Sequence, residues 1–265
     1  MEIIGYFAAI LIGLSLGLLG GGGSILTVPV LVYLFGIAPV SAATYSLFIV
    51  GISSFTGSVS FFSKKMIDFR IVLLFGLPSA FTIFLARRFI VPAIPAEIQL
   101  TGELTVSRNH LFMIVFAILM IFSSISMMRK KKNNSENQSA EYSYGKFILL
   151  FPSAVIIGLI TGILGAGGGF VIIPVLVLWL KLSMKKAIGT SLTIIAINSL
   201  IGFFLSIDQL VINWRLFSAI TLIAVAGILI GSRIAIHHSD KALKKGFGIF
   251  ILLMAAWIFI KELLL

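Results

Sequence analysis

The sequence has no cysteine, and only nine of its 265 residues are acidic. Without cysteine, the chain can form no disulfide, no thiolate nucleophile and no cysteine-ligated metal site. Charged residues make up 11% of the chain, against roughly 25% in an average soluble domain. Hydrophobic residues make up 59%. A soluble core cannot bury that much apolar surface, so the composition excludes an ordinary soluble protein.

The few charges are also clustered. After Glu2 the next charge is Lys64, which leaves 61 consecutive uncharged residues, and a second uncharged run covers Phe147 to Leu180. A membrane helix needs only about 20 apolar residues, so these runs predict an all-α polytopic membrane protein. The net charge of +11 comes from short basic clusters between apolar segments. Such clusters orient membrane proteins, and we therefore expect no nucleic-acid partner.

The apolar segments form two similar sets of about four, separated by one polar stretch. We expect a first transmembrane repeat at 1–128, a linker at 129–145 and a second transmembrane repeat at 146–265. The linker is rich in lysine, asparagine and serine, which favours a solvated segment on the cytoplasmic side. The segments run Ile3 to Phe35, Ala42 to Phe62, Ile71 to Val91, Leu111 to Met128, Phe147 to Leu180, Ala187 to Ile207, Leu216 to Ile236 and Gly246 to Ile260.

The two sets are copies of one unit. At an offset of 145 positions, GLLGGGGSILTVPVLV from Gly17 falls on GILGAGGGFVIIPVLV from Gly162, with nine of sixteen residues identical. The same offset aligns Gly57 with Gly202 and Arg70 with Arg215. A chance match in composition would align leucines and valines, but not glycines, prolines and arginines. The sequence therefore predicts an internal duplication.

Charge predicts that the two copies have opposite orientations. The loop at Lys64 and Lys65 is basic, whereas its equivalent in the second copy, Asp208 to Trp214, is sparsely charged. The loop Lys181 to Lys186 is basic, whereas its equivalent in the first copy, Gly36 to Ser41, is uncharged. Opposite bias in matching loops is typical of inverted-topology repeats. Inversion requires the first segment of each copy to enter the membrane and return. We therefore predict a glycine-broken helical hairpin in each copy.

The glycine clusters are the predicted substrate site. Glycine permits positive φ and close backbone approach, and the helix that follows starts with free N–H groups that favour an anion. Neutral hydroxyl and amide groups of the next segment would complete the site, although each Ser or Thr could instead bond to its own helix. Asn198 is the strongest single candidate, since an amide is harder to satisfy within its own helix. The predicted substrate-binding residues are Gly20, Gly21, Gly22, Gly23, Ser24, Thr44, Ser46, Gly165, Gly167, Gly168, Gly169, Thr190, Ser191 and Asn198.

Other glycines and the arginines have simpler interpretations. Pro29 and Pro174 follow the clusters and could kink the short return arms. We interpret the segment Arg87 to His110 as an external loop, although it is unusually basic. Helix packing is the favoured role of Gly13, Gly17, Gly57, Gly76, Gly227 and Gly231. Four arginines are interpreted as anchors whose side chains snorkel to the membrane surface, with a vestibule that attracts anions as the alternative. They are Arg70, Arg88, Arg215 and Arg233.

The apolar segments lack catalytic and metal-ligating side chains. Every acid lies at a segment end or in a loop, which argues against a cation pump, and no segment carries a group suited to general acid–base work. We expect no enzyme activity, no cofactor and no metal. The residues predict a secondary transporter of a small anion, with the two halves rocking around a site between the glycine turns; the alternative is a passive anion channel.

The doubled glycine motif, GLLGGGGSILTVP and GILGAGGGFVIIP, each followed by a helix with a Thr/Ser cluster, resembles the sulfite exporter TauE/SafE family. The resemblance covers nearly the whole chain, and Ala166 is its one departure within the clusters. It implies export or uptake of sulfite or an organosulfonate across the bacterial cytoplasmic membrane, and we expect export. The particular anion, the direction, the coupling ion and the oligomeric state are left open.

Overall fold

The computed structural model describes residues 2–95, 97–101, 104–128, 144–165, 167–207 and 214–263. The described chain is helical apart from one short β-hairpin, so the predicted fold class is confirmed. The elements are α1 (Glu2–Leu19), α2 (Ser24–Tyr33), α3 (Pro39–Phe62), α4 (Phe69–Leu85), α5 (Val91–Ala93), β1 (Glu97–Thr101), β2 (Leu104–Ser107), α6 (Arg108–Met128), α7 (Tyr144–Leu164), α8 (Gly169–Pro174), α9 (Met184–Phe204), α10 (Trp214–His237) and α11 (Asp240–Leu263).

Seven segments of the described chain are at least 18 residues long and apolar enough to cross a membrane. Large apolar side chains on their outer faces are exposed, for example Phe122 at 72% and Leu222 at 70%. In a soluble protein such exposure would be costly, whereas in a bilayer these side chains face lipid. The chain is a multi-pass integral membrane protein. The predicted linker 129–145 lies outside the described residues, except for Tyr144 and Gly145, which begin α7.

Local sequence sets where the helices start. Pro39 lies in the first turn of α3, where its missing N–H costs nothing. The Asp68 carboxylate caps α4 by accepting the backbone N–H of Arg70 at 3.1 Å and of Ile71 at 3.3 Å. The Ser183 hydroxyl caps α9 by accepting the N–H of Lys186 at 3.4 Å. These caps fix the ends of the helices that surround the glycine clusters.

The chain reverses direction at both glycine clusters, as predicted. Residues Gly20–Gly23 form a 3-10 turn between α1 and α2. A Cβ placed on Gly23 would overlap the backbone of Leu16, seven residues earlier, and one on Gly168 would overlap the side chain of Thr161, also seven residues earlier. In a straight helix seven residues span about 10.5 Å, so each cluster is the tip of a hairpin.

The return arms are short: α2 continues as one helix through Pro29, whereas the second arm changes its helix type after Pro174. Helix α8 ends at Pro174 and continues as a π-helical turn, Val175–Trp179. Pro174 cannot donate an N–H to the carbonyl of Phe170, four residues earlier. The Ser123 hydroxyl of α6 donates to that carbonyl instead. The expected effect of Pro174 on the second return arm is therefore seen, and α6 supplies the hydrogen bond that the proline removes.

The duplication extends to the packing, because contacts occur in pairs related by the 145-residue offset. Gly17 lies against Ile228, and its equivalent Gly162 lies against Ile83. In the same way, Gly57 lies against Ile228 and Leu192, and its equivalent Gly202 lies against Ile83 and Leu47. Helix α1 packs along α10 of the other half, and α7 packs along α4. Each half thus interlocks with the other.

The helix directions follow from the same contacts. In the α3–α9 pair, Phe61 is next to Gly189 and Leu47 next to Gly202, so these equivalent helices run antiparallel. In the α4–α7 pair, Ser79 is next to Gly158 and Ile83 next to Gly162, so these helices run parallel. Helices α1 and α10 are parallel by the same test.

Packing is the observed role of most of the isolated glycines. Gly13 and Gly17 lie on α10, while Gly227 and Gly231 lie on α1, each against backbone atoms. Gly57 faces the side chains of Ile228 and Leu192. Gly76 is the exception, since a Cβ there would have only Ile194 within 4 Å, at 3.9 Å. The packing interpretation is thus right for five of the six glycines.

The interpretation of Arg87 to His110 as a loop is wrong. Helix α4 continues through a π-helical turn at Ala86–Ile90 into α5, which ends at Ala93. The Val91 N–H donates to the Ala86 carbonyl, five residues back. Pro92 removes the next backbone donor and accounts for this irregular turn. Strands β1 and β2 then form an antiparallel hairpin before α6.

Candidate functional site

The two glycine turns touch each other. A Cβ on Gly21 would overlap the Cα of Gly169, and a Cβ on Gly169 would overlap the Cα of Gly21. Only glycine allows two backbones to approach this closely. Gly169 also faces the side chain of Ile195, near the middle of α9. The clusters of the two halves therefore meet at about half the length of the long helices.

One face of α9 lies along both turns. Ser191, Ile195 and Ser199 are spaced four residues apart, which places them on one side of a helix. A Cβ on Gly20 would lie 3.0 Å from the Ser191 hydroxyl oxygen, and one on Gly167 would lie 3.1 Å from that of Ser199. Ser191 of α9 therefore lies against the first glycine turn, and Ser199 of the same helix lies against the second.

The turns adopt backbone conformations that favour glycine. Gly20, Gly165, Gly167 and Gly168 have φ values of +58°, +70°, +66° and +71°. Side chains other than glycine pay a steric cost there. Ser24 begins α2, and its hydroxyl donates to the Gly21 carbonyl at 2.7 Å. Gly22 and Gly23 belong to the same turn, and Gly22 faces the Phe247 ring of α11.

A buried arginine lies beside the second turn. Arg87 is only 4% exposed. Its Nη1 donates to the Thr44 hydroxyl at 3.2 Å, and its Nη2 is 2.6 Å from the position of a Cβ on Gly165. Nε and Nη2 have no hydrogen-bond partner within the described residues. A buried cationic side chain therefore lies beside Gly165.

Several other buried polar atoms also have no hydrogen-bond partner in the described structure. Ser46, at 0% exposure, is one of the predicted site residues. Such groups in a native protein call for an explanation, and a ligand or water that they would bind is one. The hydroxyl oxygens concerned belong to Thr27, Ser46, Ser53, Ser54, Thr161 and Ser199, and the amide oxygen to Asn198.

Besides Ser24 and Thr44, three more of the predicted polar residues have hydrogen-bond partners in the protein. The Thr190 hydroxyl accepts the backbone N–H of Asp68 at 3.0 Å, and the Ser191 hydroxyl donates to the Ile188 carbonyl at 2.9 Å. Asn198 Nδ2 donates to the Ser79 hydroxyl of α4 at 2.8 Å. Thr190 thus fastens the α3–α4 connection to α9. Asn198 keeps one free acceptor, its Oδ1.

Comparison with known families agrees with this architecture. The profile of the family described as "Sulfite exporter TauE/SafE" matches residues 6–258. The chain belongs to the TauE/SafE family. No solved structure matches it.

Curated relatives of this TauE/SafE chain carry the name "Probable membrane transporter protein". One from Xylella fastidiosa is 25% identical over 94% of this chain and 91% of its own length. One from Bacillus subtilis is 24% identical over 74% of this chain and 75% of its own length. One from Methanocaldococcus jannaschii is 35% identical over 42% of this chain and 46% of its own length. Family and relatives support a membrane transporter.

Arg87 is the functional candidate that sequence reasoning missed. The signal was its register, because Arg87 follows Ile83 by four residues on α4, and Ile83 belongs to the buried face. Grouping Arg87 with Arg88 as loop charges hid that difference. Arg88, one position later, is exposed, as are Arg70 and Arg233, which fits their interpretation as anchors. The side chain of Arg215 lies outside the described residues.

Proposed function

We propose that this TauE/SafE chain is a secondary transporter, working as an exporter, of a small sulfur-containing anion such as sulfite or an organosulfonate. The observation that carries the proposal is the contact between Gly21 and Gly169 at the middle of the helix assembly. Broken helices that meet at membrane depth form substrate sites in transporters with repeated architecture. The family description supports the choice of sulfur anion.

The chemistry around the turns suits an anion. Backbone N–H groups at broken helices carry partial positive charge, and hydroxyl groups add neutral donors. Ser199 and Thr161 lie against the second turn, and both hydroxyls are buried without a partner. Weak neutral donors allow a substrate to bind and to leave again. The site would lie between the two turns and the hydroxyl-bearing faces of α3 and α9.

The helix directions support opposite orientations of the two halves in the membrane. Helices α3 and α9 are equivalent in the duplication yet run antiparallel. The Met184 N–H donates to the Asp240 carboxylate at 3.0 Å, and the Asp68 N–H to Thr190, so three connections meet at one end. These connections hold many of the lysines, and by the positive-inside rule this end would be cytoplasmic. Helix α7, parallel to α4, would begin there, which places the preceding linker on the same side of the cytoplasmic membrane.

The interlocked packing changes the expected motion. Gly17 and Gly162 pack against backbone atoms of the opposite half, so rocking one sequence half against the other would break the closest helix contacts. We instead expect the moving bodies to be the pairs α1–α10 and α4–α7, which shift against α3 and α9. Alternating access would then open the glycine turns to one side at a time.

Flux into proteoliposomes tests this function. Full-length protein is reconstituted, and uptake of sulfite and of sulfoacetate is measured against protein-free vesicles. We expect saturable flux that responds to an imposed ion gradient. Flux that does not saturate, and that is driven only by the anion's own electrochemical gradient with no coupling to another ion, would indicate a passive anion channel instead. No flux of either anion by folded protein would contradict the proposal.

A further inference from the structure

The side chain of Arg87 carries a charge in the interior of the protein. It is 96% buried, as its 4% exposure shows, and a guanidinium group stays charged at all ordinary pH values. A charge held away from water is strongly destabilising unless it is paired and hydrogen-bonded. One bond, from Nη1 to the Thr44 hydroxyl, satisfies only part of this need.

The two unpartnered nitrogens form one edge of the guanidinium. Nε and Nη2 point their N–H groups in the same direction, and neither has a hydrogen-bond partner in the described part of the chain. Two parallel N–H groups match two oxygens of a carboxylate, sulfite or phosphate group. A monatomic anion such as chloride can accept both N–H groups only with poor geometry. The free edge therefore favours an oxyanion.

The surroundings hold that edge at the second glycine turn. Nη2 is close to Gly165, where φ is +70° and where any side chain would collide with the guanidinium and with Ala43. Thr44 lies in the second turn of α3, at one end of the antiparallel pair α3–α9. The guanidinium is thus held by the hydrogen bond from Nη1 to Thr44 and by the close approach of Nη2 to Gly165, and its Nε–Nη2 edge has no hydrogen-bond partner in the described part of the chain.

Resting on the function proposed above, we propose that Arg87 is the principal oxyanion-binding residue of this transporter, with its Nε–Nη2 edge donating two hydrogen bonds to the sulfite or sulfonate group. Thr44 acts as a positioning residue, because it holds Nη1. Gly165 provides the space in which the guanidinium lies.

The test compares variants of the neighbouring arginines in the same proteoliposome assay. Arg87→Gln removes the charge and the pair of parallel N–H groups, whereas Arg87→Lys keeps the charge without that pair. Arg88→Gln is the matched control at an exposed position. Each lost charge-assisted hydrogen bond is worth about tenfold in a dissociation constant. We therefore expect the KM for sulfite to rise about 100-fold or more in Arg87→Gln. Arg87→Lys should fall in between, and Arg88→Gln should stay within about twofold of the original chain.

Thermal melting shows whether the variants fold, and it adds a second readout. Sulfite should raise the Tm of the original protein and of Arg88→Gln, but not that of Arg87→Gln. Without sulfite, Arg87→Gln should melt no lower than the original, since the substitution removes an unpaired buried charge. A folded Arg87→Gln with unchanged KM and an unchanged sulfite-induced shift would overturn the assignment while leaving the transport function intact. Absence of sulfite flux in the original protein would instead count against the function itself.

Discussion

The contact between the glycine turns predicts that one methyl group at Gly21 damages the protein. In Gly21→Ala the new Cβ would overlap the Cα and carbonyl carbon of Gly169 and would lie 2.6 Å from its carbonyl oxygen. All three are backbone atoms of a turn that cannot rotate away. Carbon atoms pack at about 3.5–4.0 Å, so the turns would have to separate by more than about 1 Å.

The cost of that separation can be bounded. Gly21 does not have a positive φ, so alanine brings no conformational strain of its own and the effect is steric. Overpacking of this kind destabilises by about 1–3 kcal/mol, and more where backbone must move. Because the displaced atoms belong to the proposed site, we expect loss of most sulfite flux together with a lower Tm.

A matched control is available in α11. A Cβ on Gly246 would meet only Leu19 Cδ2, at 3.9 Å, which is an ordinary contact. Alanine is favoured over glycine in a helix by about 1 kcal/mol, so Gly246→Ala should melt at the same temperature or higher. The three tryptophans allow both melts to be followed by intrinsic fluorescence. If Gly21→Ala matched Gly246→Ala in Tm and in sulfite flux, the two turns could not be in contact as described.

Two further predictions concern topology and the turns. Since the chain lacks cysteine, Ala38→Cys and Ser183→Cys can each be labelled alone; these positions precede the antiparallel helices α3 and α9, and an impermeant reagent should reach them from opposite sides of the membrane. Labelling of both from one side would contradict the opposite orientations. Gly168→Val should abolish sulfite flux, because φ there is +71° and Thr161 fills the space, whereas Gly57→Ala should be mild because it meets only movable side chains. Equal losses in both variants would mean that packing alone explains these glycines.

Much of the architecture is encoded in patterns that sequence reveals directly. Long apolar runs indicate segments that lie in lipid, and a segment in lipid must make its backbone hydrogen bonds within itself. The number of membrane segments and their helical structure can therefore be predicted from the sequence. The clusters around Gly21 and Gly168 were informative because few structures need consecutive glycines, and a chain reversal at membrane depth is one of them. The packing role of Gly13 followed from the same reasoning about close approach, although the sequence did not name α10 as its partner.

The parts that sequence could not supply depend on rotation about a helix axis. Arg87 and Arg88 are adjacent and chemically identical, yet one is buried beside Gly165 and the other is exposed. Successive helical residues point about 100° apart around the helix axis, and the four-residue spacing from Ile83 puts Arg87 on the buried face. Two arginines at the end of an apolar segment do not show whether the helix continues through them, as it does here in the π-helical turn Ala86–Ile90. The same limit hid the hydrogen bond by which Ser123 compensates for Pro174.

The duplication preserves contacts around the glycine turns but does not preserve the buried charge. Gly20 lies against Ile188, and the equivalent residue Gly165 lies against Ala43, the equivalent of Ile188. The two turns therefore have matching neighbours at these positions. The position equivalent to Arg87 is Ser232, which is fully buried and donates its hydroxyl to a carbonyl of its own helix. Two arginines facing one site would repel each other and would hold a small anion too tightly to release it. With a single arginine, the second turn has a charged neighbour and the first turn has a neutral one. This is the arrangement we expect of a site that must bind an oxyanion and then release it.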